Sequence, residues 1–417
     1  MKERNMFENR VIRWRDPAAA GGFTAVFAGD CCPHQKGAEL ILGGKADSIV
    51  AGVKDFFAAS DLRIIQWETP LSRSESPIDK SGPNLLAPPE STALLKCLGI
   101  DVALLANNHI GDHGPDVVME TIGHLASAGM GVAGAGRNLD AACAPLALER
   151  KGIRIALLNF AENEFGTAGR NKAGSAPLSP PANIGAIRAA KQGADLVFVA
   201  VHGGHEENPF PSPRMAETYR AFADAGASIV FNCHTHCPGG IEIRNGIPIV
   251  YSPGNFYFPW ASDEPMDAPW WTGYLSRFHC DEKGAYALEL MPYVFDNAAV
   301  HAIPPAKERK FFEYMEKLSA VLGDQGLVQK FFEAWCAQSG MAHLQMAGDS
   351  LKSAWPLDMS SRDNVRKWLL ARNLFTCESH CDMMKQFFRL VEERRLDKAA
   401  ALFPELAGFQ SLPWMAR

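Results

Sequence analysis

The sequence predicts an α/β protein built on a mixed sheet or a pair of sheets, followed by a helical C-terminal subdomain. Three observations predict it. Short apolar runs rich in Val, Ile, Leu and Phe recur between helical stretches, the pattern of buried parallel strands. Further runs are separated by short turns, Asn245-Gly246 among them, as hairpins are. After about residue 303, helical periodicity replaces strand signals.

Taken in order, residues 1–22 are polar and end in AAAGG, which predicts a flexible leader. Residues 23–302 form the main domain, where strand, glycine-bearing loop and helix repeat. FTAVFAGD, LRIIQWE, DVALLANNH, LVFVAVH and SIVFNCHTH read as its strands. AFADAGASIVFNCH predicts a helix closed near Gly226 and then a strand, and Ser91 is a predicted helix N-cap. IEIRN, IPIVYS, WTGYLSRFHC and AYALELMPYV read as hairpin strands. Residues 303–417 carry four helical segments: ERKFFEYMEKLSAVL, GLVQKFFEAWCAQ, RDNVRKWLLARNLF and CDMMKQFFRLVEERRLDKAAALF.

With 417 residues the chain is long enough for one large domain and a smaller one, and 47% hydrophobic with 21% charged content is that of a soluble globular protein. A net charge of −6 gives no reason to expect nucleic acid as a partner. No run approaches the roughly 18–20 apolar residues that span a bilayer, so no transmembrane anchor is expected. The opening MKERNMFENRVIRWRD has no apolar signal core, which predicts a cytoplasmic location. The ten cysteines are scattered, as buried free thiols are in a chain that needs no staples.

The chemistry lies at the strand ends. Five apolar runs each stop at a metal-binding residue type: Asp30, Glu68, Asn107 with Asn108 and His109, His202, and His234 with His236. In open α/β sheets the carboxyl ends of strands converge on one crevice. Oxygen and nitrogen ligands delivered there by five strands suit a polynuclear metal site. His234 and His236, two apart, are expected to point the same way from an extended segment. Singly, each residue has a plainer reading: Asp30 as a loop or cap residue, Glu68 as a solvated carboxylate, His202 as a satisfied buried histidine. Their joint order is what points to metal.

The segments FAGDCCPH, QWETPL, ALLANNHIGDHG, VHGGHEENPFPSP and FNCHTHCPGGIEIRNGIPIVYSPGNFYF, spanning residues 24 to about 258, resemble the CapA family, named for poly-γ-glutamate capsule biosynthesis, within the calcineurin-like metallophosphoesterase superfamily. The resemblance implies a calcineurin-like four-layer α/β/β/α sandwich and hydrolysis by a water that two divalent ions activate, with Mn, Fe or Zn favoured by the ligand types. It implies Asp30 and His236 at one ion, Asn108, His202 and His234 at the other, and Glu68 bridging them. His109 would be the general acid, oriented by Asp112. This chain departs from the pattern in places. Cys32 stands where many members have His, leaving His34 as a candidate extra metal ligand. Gly203-Gly204 replaces Trp-Gly, with Glu206 at the family's glutamate position. Cys233 and Cys237 flank the histidine pair, where thiolates would favour zinc, though core packing is the plainer role. Cys377, His380 and Cys381 have helix spacing that permits a metal site but lack a clear fourth ligand.

Arg170 and Lys172, in a loop expected to overhang the same edge, are candidate substrate-binding groups with Glu206; the alternative is a solvated surface loop. Trp260, Trp270 and Trp271 either stack on a sugar or pack, packing being preferred. The expected partners are an anionic small-molecule or polymer substrate and capsule-assembly proteins. The leading functional expectation is a phosphoester hydrolase in capsule or exopolymer assembly. The alternatives are hydrolysis or transfer at a γ-glutamyl amide on the same metals, and a non-catalytic accessory that binds anionic polymer.

Overall fold

The apolar runs fold into two sheets stacked face to face. The computed structural model describes residues 6–18, 22–259 and 265–415, so Trp260 lies outside the described residues. Among these, the first sheet runs Val11–Arg13, Gly284–Phe295, Thr272–Asp281, Phe23–Cys31, Leu62–Trp67, Val102–Leu104 and Gly131–Ala133, with Asn255–Tyr257 also pairing beside Phe23–Cys31. The second runs Ile241–Arg244, Ile247–Val250, Ile229–Cys233, Leu196–His202, Ile153–Ala161 and Leu146–Arg150. Central pairs are parallel in both sheets and the outer hairpins antiparallel. The sheets are therefore mixed, as the interspersed helices and tight turns require. Asn245 and Gly246 both take positive φ (51° and 80°), the geometry of a two-residue hairpin turn.

Alternation along the strands decides the layers. Phe27, Ile64, Leu104, Leu157, Phe198 and Phe231 face inward and fill the space between the sheets. Ile65, Trp67 and Ala103 face outward, beneath helices carrying Ile49, Leu95 and Val118. Val197, Val199 and Val201 pack outward on Tyr219 and Phe222 of the helix Pro213–Ala225. The result is a four-layer α/β/β/α sandwich. Phe27 sits at its centre, its ring 4.9 Å from Phe231, 5.5 Å from Phe278 and 5.9 Å from Phe198. Phe27→Ala should cost about 3–5 kcal/mol in urea denaturation, the range for emptying a buried phenyl site.

Two local expectations change. Part of the stretch expected as a leader is an edge strand: Val11–Arg13 pairs with Gly284–Phe295, and Arg15 grips the buried Asp281 carboxylate with both terminal nitrogens. Backbone pairing and that fork outweigh the polar composition. Ser91 does not cap its helix through its side chain, because it already lies in helical geometry at the end of a short turn, Pro89–Ser91, and a cap needs extended backbone. The helix closing near Gly226 does end there, with Gly226 in the left-handed region (φ 118°).

The helices from Pro305 onward share the main core. Phe311, Tyr314, Met315 and Leu318 of Pro305–Leu322 extend the apolar layer between the sheets. Phe331 of Gln325–Ser353 stacks on Phe210 at 4.9 Å. That anchors the helical region over the sheet edge where the strands end. No helix among the described residues is long and apolar enough to cross a membrane.

Candidate metal centre

Register builds the site. Asp30, at the end of Phe23–Cys31, pairs with Asn255 of the neighbouring parallel strand. Glu68 follows Leu62–Trp67, Asn108 follows Val102–Leu104, and His202 ends its own strand. Gly29 is required beside Asp30: a Cβ there would lie 1.9 Å from the Gly254 carbonyl oxygen, so only glycine lets the two chains approach.

The histidine pair is positioned differently from the extended segment expected. The strand stops at Cys233, and His234 and His236 both take positive φ (93° and 55°). Side chains rarely adopt that region, and such strain gathers at functional sites held by their surroundings. Here the turn lets the His234 amide donate to Asp30 Oδ2 at 2.9 Å.

Two groups result, and they share one residue. Glu68, His202 and His234 place ligand atoms within 4.8 Å of one another, and so do Asp30, Glu68 and His236. His202 Nε2 lies 3.0 Å from Asn108 Oδ1, 3.1 Å from His234 Nδ1 and 3.3 Å from Glu68 Oε1. Asp30 Oδ2 lies 3.5 Å from His236 Nδ1, whose hydrogen goes to Asn255 Oδ1 at 2.8 Å. Glu206 joins His234 and His236 in a third such group at the exposed mouth.

Asp30 and Glu68 are fully buried, yet Asp30 Oδ1, both Glu68 oxygens and His202 Nδ1 have no hydrogen-bond partner. Buried carboxylates without partners are costly unless a cation meets them. Burial pushes Asp30 up to about 6, helped by the Glu68 charge, and raises Glu68 as well. Burial also holds His202 down at about 3 and His234 well below the imidazole range, so both rings keep a free lone pair. Burial opposes charge on His236 too, but Glu68, Asp30 and Glu206 lift it to about 9. Two acids, the neutral imidazoles of His202 and His234 and an amide oxygen are a donor set that fits divalent ions, and a cation at Asp30 and Glu68 would take the place of the His236 proton.

Beside this cluster, His109 Nδ1 donates to Asp112 Oδ2 at 2.7 Å, which leaves Nε2 as the nitrogen able to pass a proton. Burial would raise Asp112, but His109 and Lys80 hold it below the usual carboxylate range. Lys80 is buried, with Nζ 2.6 Å from Asp112 Oδ1. Neither Lys80 nor Asn255 was singled out as a site residue from sequence. Asn255 stood inside the YSPGNF motif, a signal that was available; Lys80 sits in a loop without one.

Three expected residues fall elsewhere. The tight turn at Pro33 sends His34 toward the Leu86 carbonyl, 3.2 Å away, and into a separate cavity with Arg73 and Glu75. His34 belongs to none of the ligand groups among the described residues. Arg170 and Lys172 are exposed and do not line the cavity over the cluster, because their segment folds back on itself at Gly169–Lys172; the Lys172 ammonium donates to the Phe165 carbonyl at 3.0 Å. Their loop supplies Glu164 to that cavity instead. Trp271 packs in the core, while Trp270 lies 4.9 Å from His236 as a wall of the site. The ten cysteines are free thiols, Cys233 and Cys237 being buried.

A sequence model of the family described as bacterial capsule synthesis protein PGA_cap matches residues 24–259, which hold every strand-end residue above. The chain belongs to this family. It is similar to the PGA biosynthesis protein CapA of Bacillus subtilis (strain 168), at 31% identity over 69% of this chain and 74% of that protein. It is similar also to the capsule biosynthesis protein CapA of Bacillus anthracis, at 28% identity over 64% of this chain and 66% of that one. Among solved structures, a hypothetical protein from Thermus thermophilus aligns over 65% of this chain and 99% of its own, at 15% identity and a TM-score of 0.40. In this PGA_cap chain the site opens into a cavity of about 510 Å³ between Lys80, His109, Glu206 and His234 and the C-terminal residues His343 and His380. The Gly203 departure also acquires a reason. A Cβ there would lie 2.7 Å from Glu162 Cγ, and Glu162 is pinned by Arg214 at 2.7 Å.

Proposed function

We propose that this chain is a two-metal hydrolase of phosphoester type that acts in capsule or exopolymer assembly, on an anionic substrate. The observation that carries the reading is the pair of buried ligand groups sharing Glu68, with His109, backed by Asp112, lining the cavity above them. Asp30 and His236 would hold one ion, Asn108, His202 and His234 the other, and Glu68 both. The ions supply Lewis acidity and an activated water at neutral pH.

The chain's own groups do the rest. Asn255 fixes the His236 ring by accepting its Nδ1 hydrogen, an orientation that ligating imidazoles need. Asp112 does the same for His109, so His109 Nε2 holds the proton that the leaving oxygen receives. Lys80 keeps Asp112 ionised and brings positive charge to the wall. Glu206 at the mouth faces the ligand entry.

One observation favours a binding role instead: with Cys32 at the histidine position and His34 turned away, the Asp30 group has three protein ligands. Three ligands with an open position is, however, also the pattern of catalytic ions. A proton donor held by a buried carboxylate has no use in mere binding, which favours catalysis.

The test is metal analysis of purified protein, then assays on phosphomonoesters, phosphodiesters and γ-glutamyl peptides. His109→Ala should keep its metals and lose about 10²–10⁴-fold in kcat on the phosphoester, the usual contribution of a positioned acid. Cleavage of γ-glutamyl peptides alone would move the bond to the amide. Inactivity of metal-loaded wild type on all three classes would leave the accessory role.

A further inference from the structure

Glu164, Cys377 and His380 bring a carboxylate oxygen, a sulfur and a ring nitrogen within 4.8 Å of one another in the roof of the same cavity. None of them belongs to the centre beneath. Glu164 comes from the loop after the strand Ile153–Ala161, and Cys377 and His380 from the start of the helix Glu378–Glu392. We propose that these three side chains bind an additional divalent cation, zinc by preference, that ties the helical region to the sheet edge.

The donor set is one that zinc favours over harder ions, and three protein ligands with an open fourth position is a recognised zinc arrangement. Tetrahedral zinc with bonds of 2.0–2.3 Å separates its ligands by roughly 3.3–3.8 Å. The donors therefore need to close by at most about 1–1.5 Å, within reach of side-chain torsions. A fourth group stands nearby. His343, on the helix Gln325–Ser353, has its ring centre 5.7 Å from that of His380 and lines the cavity. Its Nδ1–H donates to the Ser339 carbonyl at 2.9 Å, which leaves Nε2 with a free lone pair, the tautomer of a ligating imidazole.

The same trio has the composition of a cysteine nucleophile with its base, but the surroundings argue against that use. A nucleophile must be a thiolate. Cys377 is buried, and its thiol points at Glu162 Oε2, 3.5 Å away, with Glu164 also near. Two carboxylates oppose a further negative charge; a dication relieves the conflict, whereas a neutral imidazole does not.

The proposal does not depend on the catalytic reading, and cobalt tests it in the full-length protein. Cys377 occupies the N-cap of its helix, where serine is a favoured residue, so Cys377→Ser should fold. Wild type loaded with Co²⁺ should bind one more ion per chain than Cys377→Ser or His380→Ala. It should also show near-ultraviolet cobalt–thiolate absorption that both variants lose. Equal cobalt in wild type and Cys377→Ser, or absorption that persists in Cys377→Ser, would overturn the roof site. Failure of the two-metal centre looks different: wild type would then bind a single cobalt and Cys377→Ser none.

Discussion

Glu68→Gln should change the sign of its effect with metal. With ions present, the variant should bind both of them more weakly, by more than the 10–100-fold lost when only an outer partner of a ligand is removed. With ions chelated, it should be more stable than wild type by about 1–3 kcal/mol. The reason is the same in both cases. Glu68 is fully buried and neither of its oxygens has a hydrogen-bond partner; the His236 charge offsets only part of that burial, so the carboxyl stays raised, and a bound cation would relieve a cost that the amide avoids. The amide removes the charge and with it the affinity. Metal titration by calorimetry and thermal unfolding with and without chelator read the two halves. Loss of a single ion would show that Glu68 is not shared. A variant less stable under both conditions would show that its buried charge is already satisfied.

Arg214→Ala should be among the most destabilising single changes in the chain, at about 3–5 kcal/mol, because it leaves buried charge behind. Arg214 reaches Glu162 Oε1 at 2.7 Å and Asp382 Oδ2 at 2.6 Å, and so joins the sheet edge to the helix Glu378–Glu392. Glu162 is also held by the Ser379 amide at 3.2 Å, while Asp382 accepts from Ser212 Oγ at 3.0 Å. Burial works against the Glu162 carboxylate, but Arg214 and the Ser379 hydrogen bond hold it at about 2, below its ordinary 4.5. A carboxyl depressed in the folded state contributes stability that is fully present above about 4.5 and is lost as pH falls toward 2. Urea denaturation across that window should show the loss in wild type and a flatter profile in Arg214→Ala. Adding Glu162→Gln to Arg214→Ala should restore part of the stability, since the orphaned charge goes with it. A near-neutral Arg214→Ala would mean the helix is held by its apolar contacts alone.

The legible part of this protein is legible for a physical reason. A strand buried on both faces must be a short apolar run, and Phe23–Cys31, Leu62–Trp67 and Leu196–His202 read as such. The residues at the close of each run are delivered to one edge, so Asp30, Glu68, Asn107 with Asn108 and His109, His202, His234 and His236 are legible from their order, while the choice of Asn108 within its run rests on the family resemblance. Loop direction was not legible. His34 follows a proline turn away from the centre, and Arg170 and Lys172 fold away with their own hairpin. The histidine pair was found, but its turn geometry was not, since the turn depends on Asp30 accepting the His234 amide from a strand some two hundred positions upstream.

The sequence by itself determined the strand periodicity, the identity of the residues at the strand ends and the change to helices near 303. Each follows from local pattern. Only the tertiary structure decided that Glu68 sits in both ligand groups, that Lys80 backs Asp112, and that helices hundreds of residues downstream roof the cavity with Cys377, His343 and His380. Those are matters of distance across the packed sheets, where a buried charge takes whichever partner the fold places beside it, and no local pattern encodes that choice.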